Sequence, residues 1–238
     1  MTDQLAINWK RIAIETAAIV VSILLAFTID AWWDGRKDQL EEQEILIGLE
    51  IEFVDLRGRL DQWAQFNRTG IQFIEQFLSD SVTEMDLRSI ESAFTHASIV
   101  NVLDQGGALD ALLASGRLER ISDRSIRARL VKWPDWLEDI HTNDLSSRNY
   151  VMGEIVPFLA KYGFPQKFCP SPEIFLICSE SGPIPPSYLQ LAEETEFRSL
   201  LIMRRAWMWS AALDHEDARD EADKILLMLR ASLKDFDT

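Results

Sequence analysis

Between Ile12 and Ile29 the chain carries a single charge, Glu15, in eighteen residues, and polar positions return abruptly at Asp30. At ~1.5 Å per residue this run covers roughly 27 Å as a helix, close to the ~30 Å of a bilayer's hydrocarbon core. Trp9 precedes it, and Trp32 and Trp33 follow it. Indoles favour the headgroup region, so the three tryptophans fit the two interfacial belts of a membrane span. A cleavable export signal is the main alternative, because Lys10 and Arg11 lead the run. Its end, "AFTIDAWWDG", lacks a small-x-small cleavage site. The pattern therefore predicts an uncleaved anchor.

Beyond the anchor the period changes. Leu46, Leu49, Phe53, Leu56, Leu60 and Trp63 recur at spacings of three and four, which predicts a long helix over 38–66 with one apolar seam. The run is under three heptads, which favours a face inside a bundle over a dimeric coiled coil. Gly35 is the expected bend between span and seam. A further helix is predicted over 70–79, and another after a capping box formed by Thr83 and Asp86. "DQGGALDALLASG" predicts a helix capped by Asp104 and stopped at Gly116. A helix from Ser122 should kink or restart at Pro134 and end near Gly163. Residues 163–186 hold six prolines and both cysteines and predict a loop. A last helical region from Ser187 to Phe236 should break near "DHEDARDEAD". No strand array and no internal repeat is visible.

Within the anchor, Glu15, Ala18, Ser22, Ala26 and Trp33 fall on one helical face. Small residues every four positions let two helices approach closely, and an intramembrane carboxylate needs a partner. The face predicts helix–helix packing; the plainer reading is that Glu15 pairs with Arg11 and the alanines are incidental. The stretch "IAIETAAIVVSILLAFTIDAWWDGRK" also resembles the N-terminal signature of a family of uncharacterised bacterial single-span membrane proteins. That signature is Glu, six mostly apolar residues, Gly-Ile-Leu-Ile-Ala, then Ile-Asn-x-Trp and a basic pair. Glu15, Ile23, Leu24, Ala26, Ile29, Trp32, Arg36 and Lys37 match, while Ser22 stands for Gly and Asp30 for Asn. "LLASGRLERI" is similar to a second segment of that family through Leu112, Ser115, Gly116, Leu118 and Ile121. The family carries no established activity, so the resemblance implies an architecture only.

Composition changes the picture in one respect. Of the net charge of -15, Asp3, Glu15 and Asp30 against Lys10 and Arg11 leave -14 beyond residue 33. A surface so acidic repels phosphate backbones, which argues against nucleic acid as a partner. Two cysteines are too few for a disulfide scaffold. Cys169 and Cys178 would pair if the domain faces an oxidising compartment, since "PSPE" between them can turn the chain back.

Catalytic signatures are missing: no glycine-rich phosphate loop, no G-x-S-x-G, no H-E-x-x-H. The best metal candidate is Asp214, His215, Asp217 and Glu221, but charge runs on helices are usually solvated faces, so no metal and no cofactor is expected. Trp133, Trp136, Trp207 and Trp209 read as core; an exposed stretch there would become a partner face.

The sequence thus predicts an all-α protein: an N-terminal single transmembrane helix followed by a helical bundle. Residues 1–37 form the anchor with its flanks, and 38–238 form an acidic domain on the periplasmic side of a bacterial inner membrane. The expected role is a non-enzymatic interaction protein, an accessory subunit of a membrane complex or a homo-oligomer. Its partners would be the lipid bilayer and other membrane subunits or itself. The alternative is an extracytoplasmic sensor domain with a ligand pocket between helices.

Overall fold

The computed structural model describes residues 9–79, 84–103, 107–164 and 183–236, leaving aside the side chains of 9–16, 18 and 235. Every regular element among them is helical. The order is α1 (Trp9–Ser79), α2 (Leu87–Ser98), α3 (Ala108–Ala114), a 3-10 turn (Arg117–Arg120), α4 (Arg124–Tyr150), a π turn (Val151–Ile155), α5 (Val156–Lys161), α6 (Pro186–Glu193) and α7 (Thr195–Asp235). The helical bundle is as expected, but the punctuation differs in several places.

The predicted helices at 38–66 and 70–79 and the anchor are one helix of 71 residues, about 106 Å long. It passes through Gly35 without ending, so the expected break there is absent. Leu46, Leu49, Phe53, Leu56 and Leu60 are buried on its inner face; the seam then continues through Ala64 rather than Trp63, which is half-buried against Phe66. The acidic run 214–223 does not break α7 either. Its carboxylates meet cations of other helices: Glu216 takes two hydrogen bonds from Arg68 (2.8 Å each) and Asp223 one from Arg57 (3.1 Å). Glu221 meets Arg129. Glu50–Arg230, Asp61–Arg219 and Glu75–Arg205 extend the series, so α1 and α7 lie antiparallel with their flanks stapled. Half-exposed pairs of this kind contribute little stability each, but together they fix the register. The interruption falls instead at Glu194, an extended residue between α6 and α7.

Helix α4 begins at Arg124, where Asp123 accepts from the backbone N–H groups of Ser125 and Ile126. It runs through Pro134 without restarting, because Leu130, Trp133 and Ile140 bury on both sides of the proline. The discontinuity comes later, at the π turn. Pro157 lacks an N–H and its ring would collide with the carbonyl four residues earlier, at Gly153 inside that turn; the wider turn relieves the clash. A capping box would have put Asp86 in the first turn behind Thr83; instead Asp86 is itself the cap of α2, accepting from Ser89 N (2.7 Å), and Thr83 lies outside the described residues. Helix α3 starts at Ala108 with Gly107 in the cap position, so Asp104, itself outside the described residues, is not its cap. Gly116 terminates that segment with φ 68, a left-handed conformation suited to glycine.

Two apolar cores result. The first joins α1 from Leu46 to Leu60 with α3, the first half of α4 and α7 from Ala218 to Leu229. The second joins α1 from Ile71 to Phe77 with α2, α5, α6 and α7 from Phe197 to Met208. Ahead of the first core, α1 projects alone among the described residues.

Candidate functional site: the projecting segment of α1 and the polar layer between the cores

Every described side chain from Ala17 to Leu40 is exposed. Ile19, Val20, Val21, Ile23, Leu24 and Leu25 are at least half exposed, so the apolar surface runs round the whole helix rather than along one stripe. Phe27, Trp32 and Trp33 stand 66%, 67% and 64% exposed, the two indole centroids 6.3 Å apart. The Thr28 hydroxyl donates to the Leu24 carbonyl (2.6 Å) within the helix, which satisfies its polarity without solvent. Ser22 and Ala26 of the predicted packing face are exposed here. The side chains of Trp9, Glu15 and Ala18, like Cys169 and Cys178, lie outside the described residues. Among the described residues no helix is long and apolar enough to cross a membrane. The apolar run of the sequence begins at Ile12, ahead of the first described side chain.

Between the two cores lies a buried polar layer that the sequence reading did not anticipate. Arg204 is 1% exposed. It donates Nε to Ala97 O (3.1 Å), Nη2 to Ile99 O (2.8 Å) and His96 O (3.4 Å), and Nη1 to Ser147 Oγ (2.8 Å). Three of these acceptors are carbonyls at the C-terminal end of α2, where a helix leaves carbonyls unpaired and its dipole is negative. The guanidinium is therefore an internal cap. Burial draws it down to about 10, still a cation at neutral pH. A charge inside "LLIMRRAWMW" was the available signal, since an arginine on an apolar face must find acceptors.

Across the layer, Asp144 and His215 are 2% and 1% exposed, with Asp144 Oδ2 3.8 Å from His215 Nε2. The Nδ1 of His215 meets Ala211 O, and a carbonyl only accepts, so Nδ1 carries the proton and Nε2 is left without a partner. Asp144 Oδ2 also accepts from Leu103 N (3.3 Å), and His141 Nδ1 donates to Leu103 O (3.1 Å). Burial raises the Asp144 carboxyl above the usual range, opposed by His215 and the Leu103 N–H. His96 donates Nδ1 to Ser92 O (2.8 Å) and stacks on Phe66, centroids 4.5 Å apart. Burial lowers its pKa, and Arg204 adds to that lowering. In the second core, Glu91 Oε2 and Tyr188 Oη are buried without a partner; burial raises the carboxyl and pushes the phenol to about 12.

The predicted metal candidates do not converge. His215 points into the layer, Asp214 accepts from Asn143 Nδ2 (2.6 Å), Asp217 is exposed, and Glu221 is held by Arg129 and Lys224. Among the described residues no three His, Cys, Asp or Glu side chains are placed to hold a metal ion. Of the tryptophans, Trp133 is core, whereas Trp136 and Trp209 are exposed, Arg68 covering the Trp209 ring at 4.7 Å. A cleft of about 500 Å³ lies open between α1 and α3, floored by Gly48, Leu49, Ala108 and Ala111, with Glu44 and Arg117 among its lining residues. No family model, no curated protein and no solved structure matches the chain.

Proposed function

We propose that the chain is a single-span membrane protein whose acidic helical domain works by contact with other protein surfaces and not by catalysis. The observation that carries this reading is the projecting part of α1, apolar on every side and, among the described residues, covered by no other helix. Each large aliphatic or aromatic side chain left in water forgoes about 1.5–3 kcal/mol of burial. A helix apolar all round has two environments, the centre of a large core or a bilayer, and the cores of this domain lie elsewhere. The position of Trp32 and Trp33, where charge resumes at Asp34 and Arg36, supports the bilayer. A sensor would be served by an enclosed pocket with converging polar groups; the cleft between α1 and α3 is open and its floor apolar. The proposed side for the domain is the periplasm: the basic flanks, Lys10 and Arg11 against Arg36 and Lys37, are tied and the amino terminus tips the balance.

Fractionation of cells expressing the full chain tests the anchor. The protein should sediment with membranes, stay there through alkaline carbonate and enter solution only with detergent. Release by carbonate would end the span reading. On the same membranes, protease added to spheroplasts should digest the domain; digestion only in inverted vesicles would reverse its side.

A further inference from the structure

The inner face of α1 is used by the first core, yet its outer face is also apolar. Leu40, Ile47, Ile51 and Val54 are 50%, 43%, 67% and 46% exposed. Their spacings of seven, four and three place them on one stripe, well round the helix from the buried seam. This ridge lies directly beside the cleft. Ile47 and Ile51 lie on one side of Gly48 around the helix, and the cleft on its other side is floored by small exposed residues, Ala108, Ala111 and Ser115. Glu44 stands between ridge and cleft.

We propose that this face is a parallel homodimer interface, the ridge of one copy filling the cleft of the other. The occupant is a second copy for three reasons. First, the face carries both halves of the fit side by side. A two-fold axis parallel to α1 and passing near Glu44 brings each ridge against the opposite cleft, as an isologous interface requires. Second, two copies anchored in one membrane already have their α1 helices parallel and at the same height, so the register needs no further device; this step rests on the span proposed above. Third, the size fits a tethered pair. A strip of about 21 Å by one helix diameter of ~10 Å falls well short of the ~800 Å² per partner of a free-standing complex. Confinement beside an identical copy raises the effective concentration enough for a small interface to suffice. Arg117, on the cleft wall and held by Glu41 (2.8 Å), keeps positive charge near the place where two Glu44 carboxylates approach the axis.

Cysteine cross-linking in native membranes tests this, in a full-length chain carrying Cys169→Ser and Cys178→Ser. Glu44→Cys, next to the axis, should form a disulfide-linked dimer on mild oxidation. Ile51→Cys and Ala111→Cys, expressed as two differently tagged copies, should cross-link to one another at least fivefold more than either does to itself. Adding Ile51→Lys should lower the Glu44→Cys dimer at least fivefold. Glu44, Ile51 and Ala111 are exposed in the single chain, so changes there leave its fold intact. If Glu44→Cys stays monomeric in a carbonate-resistant pellet, the dimer is wrong and the span stands. A cross-link only to a band of another mass also overturns it, in favour of a different subunit. Protein found in the soluble fraction removes the span and this proposal together.

Discussion

The two cores are built on different principles. The first is mainly aliphatic: leucines and isoleucines from long regular helices interdigitate, and among the described residues Phe53 on Trp133, centroids 5.0 Å apart, is its one ring pair. The second is an aromatic cluster. Phe94 meets Phe77, Phe164, Tyr188 and Phe197 edge-on at 5.3–5.5 Å, with rings drawn from α1, α2, α6, α7 and the segment after α5. An aliphatic seam tolerates substitutions that keep volume, because dispersion is not directional. A cluster of edge-to-face rings does not, because each ring orients its neighbours. The first core should therefore be the forgiving half of the molecule and the second the exacting one.

The largest effect should come from testing that directly. Leu60→Met in the first core is expected to cost less than about 1.5 kcal/mol. Phe94→Leu, equally apolar, should cost more than about 2 kcal/mol, since it forfeits four ring contacts worth ~0.5–1.5 kcal/mol each beyond area. Denaturant unfolding of the two variants in detergent measures both, and equal losses would erase the distinction.

Gly70 sharpens the comparison at the edge of the second core. A Cβ there would lie 2.8 Å from His96 Cβ and 2.2 Å from the Met208 methyl. The methyl can swing aside, but the His96 Cβ is fixed to α2, so Gly70→Ala forces α1 and α2 apart. The expected cost is about 1–3 kcal/mol, although alanine is the better helix former. Gly48→Ala, with nothing within 4 Å, should instead stabilise the single chain by up to about 1 kcal/mol. A gain in melting temperature for Gly70→Ala would mean the helices are not closely apposed.

The smallest effect concerns pH, and its sign separates groups in the polar layer. His96 is held below its ordinary 6.5 by burial, so the unfolded chain takes up the proton first. Its contribution to stability is complete above 6.5 and lost as pH falls through the lowered value. Asp144, raised above 3.8 by burial, acts in the opposite sense: its contribution is complete below 3.8 and lost as pH rises through the raised value. His96→Phe should flatten the acid limb just below 6.5, and Asp144→Asn should remove the loss of stability that sets in as pH rises above 3.8. A limb unchanged in His96→Phe would remove that residue from the account.

Much of the helical content was legible because long helices repeat their burial every three to four residues, as Leu46 to Leu60 do. A local rule reads Gly35, Pro134 and the acidic run at 214–223 as interruptions. Gly35 lies in the exposed stretch with nothing within 4 Å, and a single glycine costs too little to end a long helix. At the other two the folded chain offsets the cost with contacts far away in sequence. Trp133 buries beside Pro134, and Arg57, Arg68 and Arg129 answer the carboxylates of α7. Exposure also separated Trp133 from Trp209, which sequence alone had grouped together.

By itself the sequence determined the all-helical class and the inner seam of α1 from Leu46 to Leu60, since each depends on residues a few positions apart. Tertiary structure alone decided the polar layer. Arg204 finds its acceptors 57 and 105 to 108 residues away, and Asp144 finds Leu103 41 residues away. No local period encodes such partners. A buried charge is tolerable only where distant backbone carbonyls and hydroxyls converge on it, and that convergence exists only once the helices have packed.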